Sequence, residues 1–217
     1  FEEIGDLQQS EGGNIIAMQV ENEYGSYGND KEYLRYIEKL MLDCGAKVML
    51  FTSDGDDNSM LSGGTLPDLF KTLNFGSRTA VIFNALERFH ETAPKMCTEF
   101  WCGWFDHWGK EHHTRGSDSV SDEIKALLDI DASFNFYMFH GGTNFGFTAG
   151  ANYYDEYQPT VTSYDYCALL TEWGDYTPAY HAVRELLLKA QNLPETELPA
   201  SPELQNIGKV ALGESTS

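Results

Sequence analysis

The run NIIAMQV at residues 14–20, followed at once by ENEYG at 21–25, decides the reading of the fold. It is a continuous apolar run bounded by Gly12-Gly13 on one side and polar residues on the other, the pattern of a strand covered on both faces. Downstream, Tyr33, Leu34, Ile37, Leu40 and Met41 recur at three- and four-residue intervals. Lys31 to Cys44 is therefore predicted as a helix with one apolar stripe, and Gly45 as its stop. Lys47 to Thr52 (KVMLFT) is a second strand, closed by the polar turn Ser53-Asp54-Gly55. Strand, helix, strand in that order is the unit of a parallel sheet, because the chain must cross back before it can lay down a parallel neighbour.

The alternation continues along the chain. Leu73 to Phe75 reads as a short third strand and Thr79 to Thr92 as a helix closed by Pro94. Lys95 to Phe100 (KMCTEF) reads as a fourth strand running into the aromatic segment Trp101 to Trp108. Asp122 to Asp129 is helical, and Ser133 to Phe139 (SFNFYMF) is a fifth strand ending at Gly141-Gly142, where the backbone can turn. A last helix is capped by Thr177, takes Pro178 into its first turn and buries Ala182, Val183, Leu186 and Leu187. After Leu193 the pattern gives way to Pro194, Pro199 and Pro202 among Glu, Ser and Thr. Residues 1–193 are thus expected to be one α/β domain and residues 194–217 a linker. Five strands fall short of the eight that close a β/α barrel of about 250 residues. On pattern alone a smaller doubly wound domain is the rival, although no Gly-x-Gly-x-x-Gly follows a strand to support a dinucleotide.

The chain has 217 residues, 41% of them hydrophobic and 13% aromatic, which is enough for one sizeable core or a large piece of one. Lys and Arg total 14 against 34 Asp and Glu, a formal net charge of -20 that argues against nucleic acid or an anionic membrane as partner. A neutral substrate fits that balance better. No run of 18 apolar residues appears, so no membrane span is expected. Cys44, Cys97, Cys102 and Cys167 lack the paired spacing of a zinc site and are expected as free thiols in or near the core, with no metal and no organic cofactor called for. There is no Asn-x-Ser/Thr sequon, and Phe1 reads as opening inside an element, so the sequence leaves the compartment open.

Two glutamates stand directly after strand-like runs: Glu23 in QVENEYG (19–25) and Glu99 in MCTEFWCGWFDHWG (96–109). In a β/α barrel catalytic groups collect at the C-terminal strand ends, so both carboxylates would point into one mouth. Glycosyl transfer uses such a pair: one carboxylic acid protonates the leaving oxygen and the other, ionised, attacks the anomeric carbon, the two lying roughly 5 to 5.5 Å apart in retaining enzymes. Trp101, Trp104, Phe105 and Trp108 offer flat apolar faces for a sugar ring, and Asn22 a hydrogen bond to a hydroxyl. A single strand-end Glu is usually a solvated loop residue, and strand alternation puts Glu21 on the same side as Glu23, so only the neighbouring residues choose between those two. His140 is expected to be packed or hydrogen-bonded, and His112-His113 to lie in a surface loop.

The segments QVENEYGSYG, TEFWCGWFDHWG, YMFHGGTNFG (137–146) and TSYDY (162–166), in that order, resemble the β-galactosidases of glycoside hydrolase family thirty-five. The similarity runs from about Gly12 to about Leu188. It implies a TIM barrel of which this chain carries the C-terminal five β/α units, with β-rich domains usual after the barrel. It implies hydrolysis of terminal β-linked galactose with Glu23 as acid/base after the fourth strand and Glu99 as nucleophile after the seventh. Asn22, Trp104, Tyr137 and Tyr166 would line the galactose pocket, Tyr137 close to the nucleophile. The partner implied is a galactoside. One departure is local: relatives carry Asp-Ala-Pro after TSYDY, whereas this chain has Cys167-Ala168-Leu169. A related retaining glycosidase of other sugar specificity, and a carbohydrate-binding relative without catalysis, are the alternatives; retention of both glutamates argues against the second.

Overall fold

The computed structural model describes residues 1–89, 94–211 and 213. Five strands, β1 (Ala17–Gln19), β2 (Met49–Asp54), β3 (Phe70–Phe75), β4 (Met96–Trp101) and β5 (Ser133–Tyr137), form one sheet in the order β1-β2-β3-β4-β5, and every neighbouring pair is parallel. Helices α1 (Lys31–Asp43), α2 (Asn58–Gly64), α3 (Thr79–Leu86) and α4 (Ser117–Asp129) make the four crossovers, and α5 (Pro178–Ala190) follows the last strand. Strand order never reverses. A doubly wound sheet must reverse at a switch point, so that rival is excluded and the singly wound order of a barrel segment remains. A small antiparallel ribbon, β6 (Ala151–Tyr153) with β7 (Tyr157–Pro159), lies in the segment between β5 and α5.

The main core fills the space between one face of the sheet and the helices: Leu73 and Phe75 of β3 and Cys97 and Phe100 of β4 pack on Ile82, Phe83 and Leu86 of α3, Ile124 and Leu127 of α4 and Val183 of α5. A second cluster joins Val20 and Leu50 to Leu34 of α1. The opposite face of the sheet is polar. Ser53, Thr72 and Asn74 are buried there and meet Thr98 through hydrogen bonds of 2.6 to 3.1 Å. Strand alternation thus separates a dry outer layer from a hydrogen-bonded inner one.

A β-bulge interrupts that alternation in β4. On the β3 side Leu73 pairs with Cys97 and the next residue, Asn74, with Glu99; on the β5 side Cys97 pairs with Phe134 and Phe100 with Phe136, leaving Thr98 and Glu99 opposite Asn135 alone. Two residues facing one is the signature of a bulge, and it turns both inward.

Several expected boundaries shift. β1 is Ala17–Gln19 rather than residues 14–20, and it is half-buried rather than covered on both faces, with Ile16 exposed, because it pairs on one side only. β2 keeps its expected length but lies two residues further on, at Met49–Asp54, β3 is longer than expected, running Phe70–Phe75, and β5 stops at Tyr137. The helix read from Asp122 begins at Ser117, and the one read to Thr92 ends at Leu86, residues 90–93 lying outside those described. Helix α2 has no apolar stripe in NSMLSGG and escaped the periodicity; Asp57 caps it by accepting from Ser59 N–H at 2.7 Å. Cys97 and Cys102 are buried thiols, as expected, but Cys44 is exposed at the end of α1. Residues 194–211 carry no helix or strand and are tied back by Tyr176 to the Pro199 carbonyl at 3.0 Å and by Ser201 to Asp175 at 2.6 Å.

Both β1 and β5 present an unpaired edge among the described residues, and Phe136 and Phe139 border an open apolar groove against α5. Each large side chain left uncovered forfeits about 1.5 to 3 kcal/mol, against a margin of about 5 to 15 kcal/mol for a whole domain. Expressed by itself, the 217-residue chain should bind a hydrophobic dye or aggregate and should hydrolyse no galactoside. A cooperative melt with measurable activity would contradict this.

Candidate active site

Glu23 and Glu99 reach the same end of the sheet by different routes. Glu23 lies four residues beyond β1, in a short turn where both it and Glu21 take left-handed backbone conformations, φ 53° and 61°. Such φ values cost a non-glycine residue on the order of 1 kcal/mol or more, so the surroundings must hold them. They do. Glu23 N–H donates to the Ser53 carbonyl at 2.9 Å, and Gly25 N–H donates to Asp54 Oδ1 at 2.9 Å, so the end of β2 grips the turn twice.

The paired left-handed residues also separate the two glutamates that alternation would have put together. Glu21 turns to α1, where it accepts from the Tyr33 hydroxyl and, through its other oxygen, from Asn22 N–H at 3.2 Å. Glu23 turns over the sheet, where its Oε1 accepts from Asn74 Nδ2 at 3.0 Å. Asn22 is exposed beside it, its Oδ1 accepting from Gln19 at 3.0 Å.

Glu99 sits on the bulge, cross-strand from Asn74, and its Oε2 accepts from Trp101 Nε1 at 3.1 Å. Its pKa is raised above the ordinary Glu value, chiefly by burial and further by the charge of Glu23, while the Trp101 bond pulls the other way. The two carboxylates are thus electrostatic neighbours with Asn74 touching one and paired with the other.

Behind Glu99 stands a continuous aromatic wall. Trp104 stacks on Phe105 with centroids 5.0 Å apart, Phe105 on Tyr164 at 5.8 Å and Tyr164 on Tyr166 at 5.4 Å. Tyr137 meets Tyr166 edge-on at 5.5 Å, and its hydroxyl lies 3.2 Å from that of Tyr164. Tyr166 is only 1% exposed and forms the back of this wall, whereas Tyr137 and Trp104 are half-buried at its surface. Burial and the neighbouring acidic groups push the hydroxyls of Tyr164 and Tyr166 well above the usual tyrosine range, so both stay protonated donors. Gly141 lets the Tyr-rich loop approach: a Cβ there would fall 1.7 Å from the Tyr164 carbonyl oxygen. Beside the wall a cavity of about 360 Å³ is lined by Gly76, Arg78, Trp101, Trp104 and Arg115; neither carboxylate lines it.

Asp106 accepts from both His112 and His113, and His112 Nε2 lies 3.6 Å from Asp165, so the imidazole bridges two carboxylates and is held above its usual pKa by Asp106. His140 Nε2 lies 3.1 Å from the Glu172 carbonyl. Sequence reading brought forward Glu23, Glu99, Tyr137, Trp104 and Tyr166, which converge here, and Asn22 at the rim. It missed Asn74 and Asp54, whose signal was a lone polar residue in a buried run and a turn residue that proves to end β2, and it missed the donor role of Trp101.

The model of glycosyl hydrolases family 35 matches residues 1–190. The chain belongs to that family. It is 44% identical over 204 residues to the human protein named beta-galactosidase-1-like protein 2, covering 91% of this chain and 31% of that one. It is 43% identical to the beta-galactosidase of Bos taurus, over 95% of this chain and 32% of that protein. Against the beta-galactosidase of Xanthomonas manihotis identity is 41%, over 99% and 37% respectively. The chain therefore spans about a third of the length of the curated relatives it matches.

Two outcomes follow from the electrostatics. Trp101→Phe in the full-length protein removes a donor to ionised Glu99, so the Glu99 pKa should rise further and the acid limb of kcat/KM should move to higher pH; an unmoved limb would show that the bond does not tune this carboxylate. Asp54, 1% exposed, is pushed up to about 6, first by burial and then by Glu23, against the Gly25 bond and Lys31. Its folded pKa lies above the unfolded value of about 3.9, so the native state loses stability as pH rises from about 4 to about 6. Asp54→Asn, which keeps an acceptor for Gly25, should flatten that decline by about 1 to 3 kcal/mol in denaturant titrations at pH 4.5 and 7. Equal declines in both proteins would refute the assignment.

Proposed function

We propose that the protein to which this chain belongs is a retaining β-galactosidase built on an eight-stranded β/α barrel, of which these five β/α units are the C-terminal part. Family membership and the names of the relatives support the substrate class. The observation that carries the mechanism is the convergence of Glu23 and Glu99 at the C-terminal ends of parallel strands, bridged by Asn74. Glu99 is the nucleophile: it is half-buried, accepts one indole N–H and needs no further base to act as a carboxylate. Glu23 is the acid/base, on the more solvated turn from which a proton can be exchanged with water. Asn22, Trp104 and Tyr137 are the sugar contacts and Tyr166 the buried floor behind them. The reaction needs neither a metal nor an organic cofactor, because both steps move only protons and carbon–oxygen bonds.

In the full-length protein Glu99→Gln should lower turnover by several orders of magnitude, and a slow-leaving fluorinated galactoside should label Glu99 in the unaltered protein. Label on another residue, or near-normal turnover in the variant, would remove Glu99 from the role. Glu23→Gln should keep its first step on galactosides with good leaving groups and lose it on poor ones, and added azide should speed release of the intermediate. Uniform damage without azide rescue would transfer the role to Glu21 or abolish it. Profiling against other β-glycosides decides whether galactose is the preferred sugar.

A further inference from the structure

Asn74 is fully buried, yet among the described residues it is the one side chain seen to hydrogen-bond both the polar inner face of the sheet and Glu23. Its two ends are chemically different, and they face different neighbours. Ser53 Oγ donates to Asn74 Oδ1 at 2.7 Å and Thr98 Oγ1 at 3.1 Å. Thr72 Oγ1 spends its proton on the Thr52 carbonyl at 3.0 Å, and the three hydroxyls lie 2.6 and 2.7 Å apart in a chain, Ser53 to Thr98 to Thr72. Each hydroxyl has one proton to give. On this side Asn74 Oδ1 accepts, and on the other its Nδ2 faces the carboxylate, donating to Glu23 Oε1 at 3.0 Å. The reverse orientation would set a carbonyl oxygen against ionised Glu23.

We propose that Asn74 is a positioning residue that fixes which oxygen of Glu23 handles the proton: Oε1 is held as a permanent acceptor, and Oε2 carries the proton. This rests on the acid/base reading of Glu23. In the first step the Oε2 proton passes to the glycosidic oxygen as its bond to the anomeric carbon breaks, the bonding pair staying on that oxygen, while a carboxylate oxygen of Glu99 forms the new bond to carbon. In the second, water gives one proton to Oε2 and its oxygen to the anomeric carbon, and Glu99 leaves with its electron pair. Throughout, the Asn74 bond restrains a carboxyl group that hangs from a turn rather than from a strand, so the acid is aimed before substrate arrives.

The test uses the full-length protein. Asn74→Leu keeps the size of the side chain and removes its donor. A positioned general acid contributes about 10²- to 10⁴-fold, and only where the leaving group needs a proton. For methyl or sugar aglycones kcat/KM should therefore fall about 10- to 100-fold more than for a dinitrophenyl galactoside. Ser53→Ala, which withdraws one donor from Oδ1 at little cost in packing, should show the same selectivity in smaller measure, and it serves if Asn74→Leu does not fold. Glu23→Gln is run alongside. If Glu23→Gln is selective for poor leaving groups while Asn74→Leu and Ser53→Ala lose activity equally on all, Asn74 is a packing residue and the proposal is overturned with the acid/base reading intact. If Glu23→Gln itself shows no selectivity, the acid/base reading falls and the proposal with it.

Discussion

A strand that alternates strictly sends Thr98 and Glu99 to opposite faces: one would serve the polar interior and the other would be buried among Leu73, Phe100 and the helices. The bulge in β4 removes that conflict by giving two residues the place of one opposite Asn135. Everything else in the site depends on it. Thr98 can then reach Ser53, Thr72 and Asn74, and Glu99 can stand beside Asn74 without surrendering Cys97 and Phe100 to the wrong side of the sheet. A carboxylate on the helix side would meet a dry core and ionise only at great cost. On the inner side it meets an indole N–H and a second carboxylate, which is a place where ionisation is hard but attainable.

The opposite half of the site is held by another device. Glu23 has no strand beneath it, and its left-handed turn is held by the end of β2, through Ser53 and Asp54, and by close packing against α2. A Cβ on Gly64 would fall 1.7 Å from Asp54 Oδ1, and one on Gly25 would fall 1.8 Å from the Met60 carbonyl oxygen. Lys31 completes the arrangement from the first turn of α1 by donating to the carbonyls of Ser62, Gly63 and Thr65, the open end of α2, at 2.5 to 2.7 Å. A cation at a helix C-terminus is favoured by the helix dipole as well as by the hydrogen bonds. The same Lys31 partly offsets the cost of burying Asp54. The strained turn, the buried acid and the short glycine-rich helix form one unit, so a substitution in any of them reaches Glu23.

The sequence carried the alternation of strands and helices and the strand-end positions of both glutamates because those depend on patterns it displays: apolar runs, a helical stripe in α1, a Thr-Pro start in α5 and carboxylates at or just past strand ends. It did not carry the features that choose among residues. Glu21 and Glu23 share one parity, and what separates them is φ near +60° at both, which no side-chain pattern records. Helix α2 was invisible because it is held by glycines fitted against the backbone of the turn around Gly25 and Gly28 and by Lys31, not by an apolar stripe. Tyr166 was legible as part of a tyrosine-rich loop, but its burial behind Tyr164 is a matter of stacking order. Asn74 was hidden for the opposite reason: in a buried run such as FKTLNF one polar residue reads as noise until its partners are known.

The acidity of the chain and the demands of the site are connected through the ligand. With a formal charge of -20 and two carboxylates coupled to each other, the site offers little to an anion, and the cations that line the adjacent cavity, Arg78 and Arg115, are engaged elsewhere. Arg78 pairs with Asp56, and Arg115 donates to the carbonyls of Trp101 and Ser119. On the function proposed above, what remains for recognition is uncharged: the half-buried ring of Trp104, the hydroxyl of Tyr137 and the amide of Asn22. An indole face and neutral hydrogen-bond partners suit the CH-rich faces and hydroxyls of a sugar, and they do so without shielding the carboxylates from each other. That last point matters to the chemistry. A cationic ligand group would offset the part of the Glu99 pKa rise that comes from Glu23, whereas a neutral ligand leaves it, and the larger part from burial, in place.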